Sequence, residues 1–215
     1  MKDKIKTIIV DLTSSNEELF KRIHKNARWG IRKAQKENLE ILYNEDFEEF
    51  YKIYLDAMKS KNLTPFFLEE IQKEMIVFLN CKYKDKIIAG LVIGINEDSN
   101  LPEIMYNASL PEFQKFQPND LLYWMAILWA KYHGYKKIDL GGYSTNPYDD
   151  LMGINKFKEK WSGQIEEKEI DYPFLHAIQR KLLRKSPLFR KIKANLRRII
   201  NKQNKVYERA WGELK

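Results

Sequence analysis

The sequence predicts an α/β fold: a mixed β-sheet with helices covering both faces. Three observations carry that expectation. Strand-like and amphipathic segments alternate along roughly the first 170 residues. Near the middle, three strand candidates follow one another with no helix between them, which calls for antiparallel pairing inside the sheet. Two of these, FLNCKYK and IIAGLVIGI, are mostly apolar, as strands central in a sheet are.

Taken in order, Lys6 to Leu12 reads as a strand with Thr7–Val10 at its centre. Thr13-Ser14-Ser15 caps a helix over 16–37, with Glu17 and Glu18 in the first turn, where the helix dipole favours anions. Leu19, Phe20, Ile23, Ala27, Ile31 and Ala34 form its apolar face, and Lys21, Arg22, Lys25, Arg28, Arg32, Lys33 and Lys36 its basic one. Leu39–Tyr43 is a second strand, and Asp46 begins an aromatic helix, FEEFYKIYLDAMKSK. Asn62–Pro65 breaks the chain before a helix expected from Phe67 to Ile76. Strands over Val77–Lys82 and Lys86–Ile95 form a hairpin about Tyr83-Lys84-Asp85. The polar turn Asn96–Asn100 leads to a strand holding Ile104, Met105 and Tyr106.

The next helix starts near Asn119 or Asp120, just past Pro118, and carries Leu121, Leu122, Trp124, Met125, Ile127, Leu128 and Trp129. That is too many apolar residues for a surface stripe, so it should be largely buried, with Trp124 and Trp129 in the core. His133-Gly134 stops it. The strand Lys137–Leu140 then runs into Gly141-Gly142, a short helix follows, and Gln164–Glu169 is a last strand. The order β-α-β-α-α-β-β-β-α-β-α-β is the one expected of an N-acetyltransferase-like (GNAT) fold. Ligands in α/β proteins sit beyond strand ends where loops converge, so the Gly141-Gly142 end of the 137–140 strand is where a site is expected.

Composition narrows the function. At 215 residues the chain can bury one real core, expected over 1–170, with 171–215 as a separate basic helical tail. Residues 172–207 hold eleven Lys or Arg and no Asp or Glu. Against a total charge of +8, this leaves −3 for everything else, so the basicity belongs to the tail. Its Leu and Ile positions make it amphipathic. It could lie on a membrane, hold tRNA phosphates, or dock on its own domain or a dimer partner. No apolar run of about 18 residues is present, so no membrane-spanning helix is expected. The N-terminus does not read as a signal peptide, so a cytoplasmic protein follows. The single cysteine, Cys81, reads as a buried small hydrophobe. His24, His133 and His176 have no metal-type spacing, and no nucleophile elbow or Walker lysine loop is present. An enzyme of this composition works by positioning and electrostatics, with no metal and no tightly bound cofactor.

Three segments together carry a resemblance: RWGIRKAQKENLEI (28–41), YNASLPEFQKFQPNDLLYWMAILWAKYHG (106–134) and IDLGGYSTNPYDDLMGINKFKEKWSG (138–163). They resemble the FemABX family of aminoacyl-tRNA-dependent peptidyltransferases of cell-wall precursors, which has a GNAT-like fold. The matching positions are Arg28, Ile31, Arg32, Lys33 and Ala34; Tyr106, Pro118, Leu121, Leu122 and Trp124; Asp139 to Gly142; and Gly153, Ile154, Phe157, Lys158 and Trp161. Trp161-Ser162-Gly163 has one residue more than the family pattern before its glycine, and the chain matches only one of the usual two GNAT-like halves.

The resemblance implies an enzyme that moves an aminoacyl or acyl group onto an amine of a cell-envelope precursor, with aminoacyl-tRNA as co-substrate. It implies Lys158 as the catalytic cation and Phe157 as its pocket-forming or base-stacking neighbour. Arg28, Arg32, Tyr106, Gly142 and Tyr143 are the implied substrate-binding residues. No general base stands out: Asp120, Asp149 and Asp150 stay open. The implied partners are aminoacyl-tRNA and an envelope precursor, with peripheral membrane contact through 172–207 at the inner face and a homodimer as further readings. An acyl-CoA-dependent N-acyltransferase is the alternative enzyme, although no Q/R-x-x-G-x-G/A pyrophosphate loop is present. An inactive GNAT-like binding module is the alternative outside enzymes.

Overall fold

The computed structural model describes residues 2–61, 65–66, 71, 75–96, 100–144 and 152–171. In order these form β1 (Lys2–Asp11), α1 (Asn16–Arg22), α2 (Lys25–Lys36), β2 (Glu40–Tyr43), α3 (Phe47–Ser60), β3 (Met75–Tyr83), β4 (Lys86–Asn96) and β5 (Leu101–Ser109). A 3-10 turn (Pro111–Phe116), α4 (Pro118–Tyr132), β6 (Lys137–Tyr143), α5 (Met152–Glu159) and β7 (Gln164–Asp171) complete the described elements.

The strands make one seven-stranded sheet in the order β2-β3-β4-β5-β6-β1-β7. Neighbours run antiparallel except β5 and β6, which are parallel. The expected mixed α/β sheet of N-acetyltransferase type is therefore the fold. Successive residues of β4 point to opposite faces, as strand geometry requires. Leu91 and Ile93 join the core that includes Leu19, Ile31, Leu121 and Trp129 from α1, α2 and α4. Val92 joins a second core with Phe50 and Tyr54 of α3. Trp124, Trp129 and Cys81 are buried. No helix among the described residues is long and apolar enough to cross a membrane.

Several boundaries differ from the sequence reading. The single helix over 16–37 is two helices, α1 and α2. Ile23 is extended, with ψ 152°, and the His24 side chain caps α2 by accepting the Asn26 N–H at 3.2 Å. The backbone N–H of His24 donates to the Lys160 carbonyl at 2.8 Å, a long-range bond that periodicity cannot show. α4 begins at Pro118 itself. Gln117 precedes it with φ 61°, and a proline at the first helical position has its φ preset and no N–H to waste. Met75 and Ile76, expected to end a helix, belong to β3; residues 67–70 and 72–74 of that expected helix lie outside the described residues. The expected helical tail also lies outside them.

The strand expected to stop at Leu140 continues through Gly141-Gly142 to Tyr143, paired with β1. The register slips between Thr7 and Ile9, so that Leu140 and Gly141 together face Ile8. This is a β-bulge, and Gly141 takes it at φ +82°, a conformation that L side chains rarely adopt.

Candidate functional site

The site forms where β5 and β6 meet. These parallel strands are paired at one position, Glu103 with Asp139. Lys158, on α5, extends its side chain to this fork and donates to the Gly142 carbonyl at 2.8 Å; the residue is 7% exposed. The Gly141 bulge makes room for it. A Cβ there would stand 2.8 Å from the Ile104 carbonyl oxygen and 3.3 Å from the Lys158 Nζ.

Two carboxylates and a second amine complete the cluster. Asp139 is fully buried and accepts from the Thr7 hydroxyl and from the Gly141 N–H at 2.7 Å. Lys168 of β7 donates to Glu103 at 2.6 Å and lies 3.4 Å from Asp139. Burial lowers the Lys158 pKa to about 8, against the opposing pull of Asp139 and Glu103. Burial opposes the charge of Lys168 too, but the Glu103 hydrogen bond and both carboxylates outweigh it and hold its pKa above the ordinary value. The Glu103 carboxyl is raised, by burial first and then by Asp139. Lys158 is thus an amine with a pKa lowered to about 8 beside the carboxyls of Asp139 and Glu103, while Lys168 is held in its charged form.

Phe157, one residue before Lys158, belongs to an aromatic group. Tyr123 meets it edge-on at 4.9 Å and stacks on the fully buried Trp161 at 5.7 Å. The Lys160 ammonium sits 4.2 Å from the Phe157 ring centre and pairs with Asp120 at 2.7 Å. Asp120 is itself buried, and that burial raises its carboxyl while Lys160 draws it back down. An open cavity of about 440 Å³ lies against these residues, lined by His24, Asn26, Lys156, Phe157, Glu159 and Lys160. It joins the start of α2 to α5.

The structure brings part of the expected set together. Lys158 and Gly142 touch directly, Phe157 adjoins them on α5, and the Tyr143 hydroxyl donates to Glu159 on the same helix at 2.7 Å. The others are engaged elsewhere. Arg28 turns back on α1, donating to the Lys21 carbonyl at 2.8 Å and the Ile23 carbonyl at 2.5 Å. Arg32 covers the Phe20 ring at 5.4 Å. Tyr106 makes ring contacts with Tyr54 at 5.5 Å and Phe66 at 5.4 Å, on the α3 side of the sheet. Of the open general-base candidates, Asp120 is ion-paired to Lys160, and Asp149 and Asp150 lie outside the described residues. Sequence reasoning passed over Glu103, Lys168 and Lys160. Only the Asp139-to-lysine pairing had a signal, a carboxylate at a strand end before two glycines.

Residues 68–173 match the model of the FemAB family. A lipid II:glycine glycyltransferase of Staphylococcus saprophyticus is 30% identical over 102 residues, 46% of this chain and 25% of the relative. That of Staphylococcus aureus is 28% identical over 103 residues, 46% of this chain and 24% of the relative. The chain therefore spans about a quarter of the length of these relatives. Among solved structures, FemX superposes with a TM-score of 0.65 at 13% identity, over 76% of this chain and 61% of FemX. An L-PGS from Bacillus licheniformis superposes with a TM-score of 0.56 at 17% identity, over 79% and 60%. These last two show a shared fold. The chain thus resembles the FemAB family through a partial match spanning residues 68–173.

Proposed function

We propose that this chain transfers an aminoacyl group from aminoacyl-tRNA onto an amine of a cell-wall precursor. The observation that carries the reading is Lys158: a buried amine held at the β5–β6 fork with its pKa lowered to about 8, on the helix whose Phe157 lines an open cavity. The named activity of the relatives, glycyl transfer to lipid II, supports the same reaction class.

The chemistry asks little else of the protein. The acceptor nitrogen bonds to the ester carbonyl carbon, the bond from that carbon to the ribose oxygen breaks, and the proton lost by nitrogen ends on the ribose oxygen. An aminoacyl ester is already activated, so the enzyme must align the reactants and stabilise negative charge on oxygen. A lysine ammonium has three N–H donors. One of those of Lys158 is on the Gly142 carbonyl, leaving two for the tetrahedral oxyanion or the departing ribose oxygen. With a pKa of about 8 the side chain is mostly protonated at neutral pH, yet close enough to its midpoint to return a proton. Phe157 offers the ring edge or face against which a terminal base would rest.

The test is transfer of a labelled amino acid from charged tRNA to an amine acceptor, with acetyl-CoA as the competing donor. Transfer from charged tRNA that is lost in Lys158→Met supports the proposal. Transfer from acetyl-CoA alone contradicts it and leaves an acyl-CoA enzyme. Ligand binding that persists while neither donor reacts leaves a binding module.

A further inference from the structure

The outward face of α2 carries charge of one sign only. Its inner positions Ala27, Gly30, Ile31 and Ala34 are buried. The outer positions are Lys25, Trp29, Arg32, Lys33 and Lys36, and the helix contains no acidic residue. Trp29 is 55% exposed, an unusual position for the largest apolar side chain, and the Lys33 ammonium lies 5.1 Å from its ring centre. No carboxylate among the described residues pairs with these cations. Like charges at i, i+4, as in Arg32 and Lys36, oppose helix formation. A row of cations that weakens its own helix and lacks counter-ions suits a polyanionic partner.

The same helix begins at the cavity beside Phe157, since His24 and Asn26 line it together with Lys156 and Lys160. The cavity therefore adjoins the start of the helix that carries the basic face. We propose that this face docks RNA, with Trp29 stacking on an unpaired base and Lys25, Arg32 and Lys36 on backbone phosphates, so that the RNA end is led toward Phe157 and Lys158. This deepens the donor reading above and rests on it. RNA fits better than a membrane surface because an interfacial helix needs a broad apolar face toward the lipid. Here the apolar face of α2 is already spent on the core, and Trp29 stands alone among cations.

The test uses the full chain and two uncharged stem–loop RNAs, one with an unpaired 3′ end and one blunt, titrated by fluorescence anisotropy at low and moderate salt. Anionic vesicles form a third arm. Trp29→Ala should weaken binding of the overhang RNA roughly tenfold or more while leaving the blunt RNA nearly unchanged, because stacking acts on unpaired bases. The triple variant Lys25→Gln, Arg32→Gln, Lys36→Gln should weaken both RNAs and reduce the salt slope by roughly two to three. All four positions are solvent-facing, so both variants should remain folded, with a cooperative thermal transition. Unchanged RNA affinity in both variants overturns the α2 surface while leaving an RNA donor intact. No RNA binding by the parent protein overturns both. Vesicle binding that depends on Trp29, without RNA binding, makes the face a membrane surface and also overturns the proposal.

Discussion

At the scale of single residues, Lys158 carries the most weight and the sharpest expectations. Lys158→Met removes the buried ammonium that donates to Gly142 at the fork, so kcat should fall about 100-fold or more, in the range measured for lost oxyanion donors. Donor binding should change little. If Lys158 acts as an ammonium, kcat should decline as pH rises through about 8, where that proton is lost. A lysine acting as base would give the opposite slope there. Asp139 and Glu103 both favour the charged form of Lys158. Asp139→Asn keeps an acceptor for Thr7 and Gly141 but removes a negative charge, so the alkaline limb should move to lower pH. A limb that stays in place would mean that Asp139 does not set the charge of Lys158. These partnerships were only partly legible in the sequence. Asp139 sits visibly before two glycines, but Glu103 and Lys168 lie on β5 and β7, and only the strand order brings them to it.

At the scale of elements, α2 shows what spacing reveals and what it conceals. The spacing of Ala27, Ile31 and Ala34 predicts its buried face correctly, and the structure adds Gly30 to it. The break at Ile23-His24 was not legible, because the His24 N–H bond to Lys160 joins residues far apart in the chain. Gly30 also conceals its reason. Alanine would gain about 1 kcal/mol of helix propensity. However, its Cβ would lie 2.7 Å from Cγ of Asp120, which the Lys160 ion pair holds in place. Gly30→Ala should therefore destabilise the protein by about 1–3 kcal/mol in denaturant titration, the usual cost of overpacking. A neutral or stabilising result would show that α4 can yield. Arg28 closes the end of α1 through two carbonyls, so Arg28→Ala should lower stability by about 1–2 kcal/mol. An altered KM with unchanged stability would return Arg28 to the substrate.

At the scale of the whole molecule, the sheet is the part most readable from sequence. The hairpin of β3 and β4 turns at Lys84-Asp85, and the apolar runs of those strands are buried on both sides. The parallel join of β5 to β6, around which the site is built, depends on register and on the Gly141 bulge, which require the neighbouring strand β1 to be known. The most direct measurement is single-turnover transfer of a labelled amino acid from charged tRNA to an amine acceptor, followed from pH 6 to 9 in the parent chain and in Lys158→Met. Labelled amide product is expected in the parent, with a rate that declines as pH rises through about 8, and none in the variant. Equal rates in the two proteins, or product from acetyl-CoA and none from charged tRNA, would contradict it.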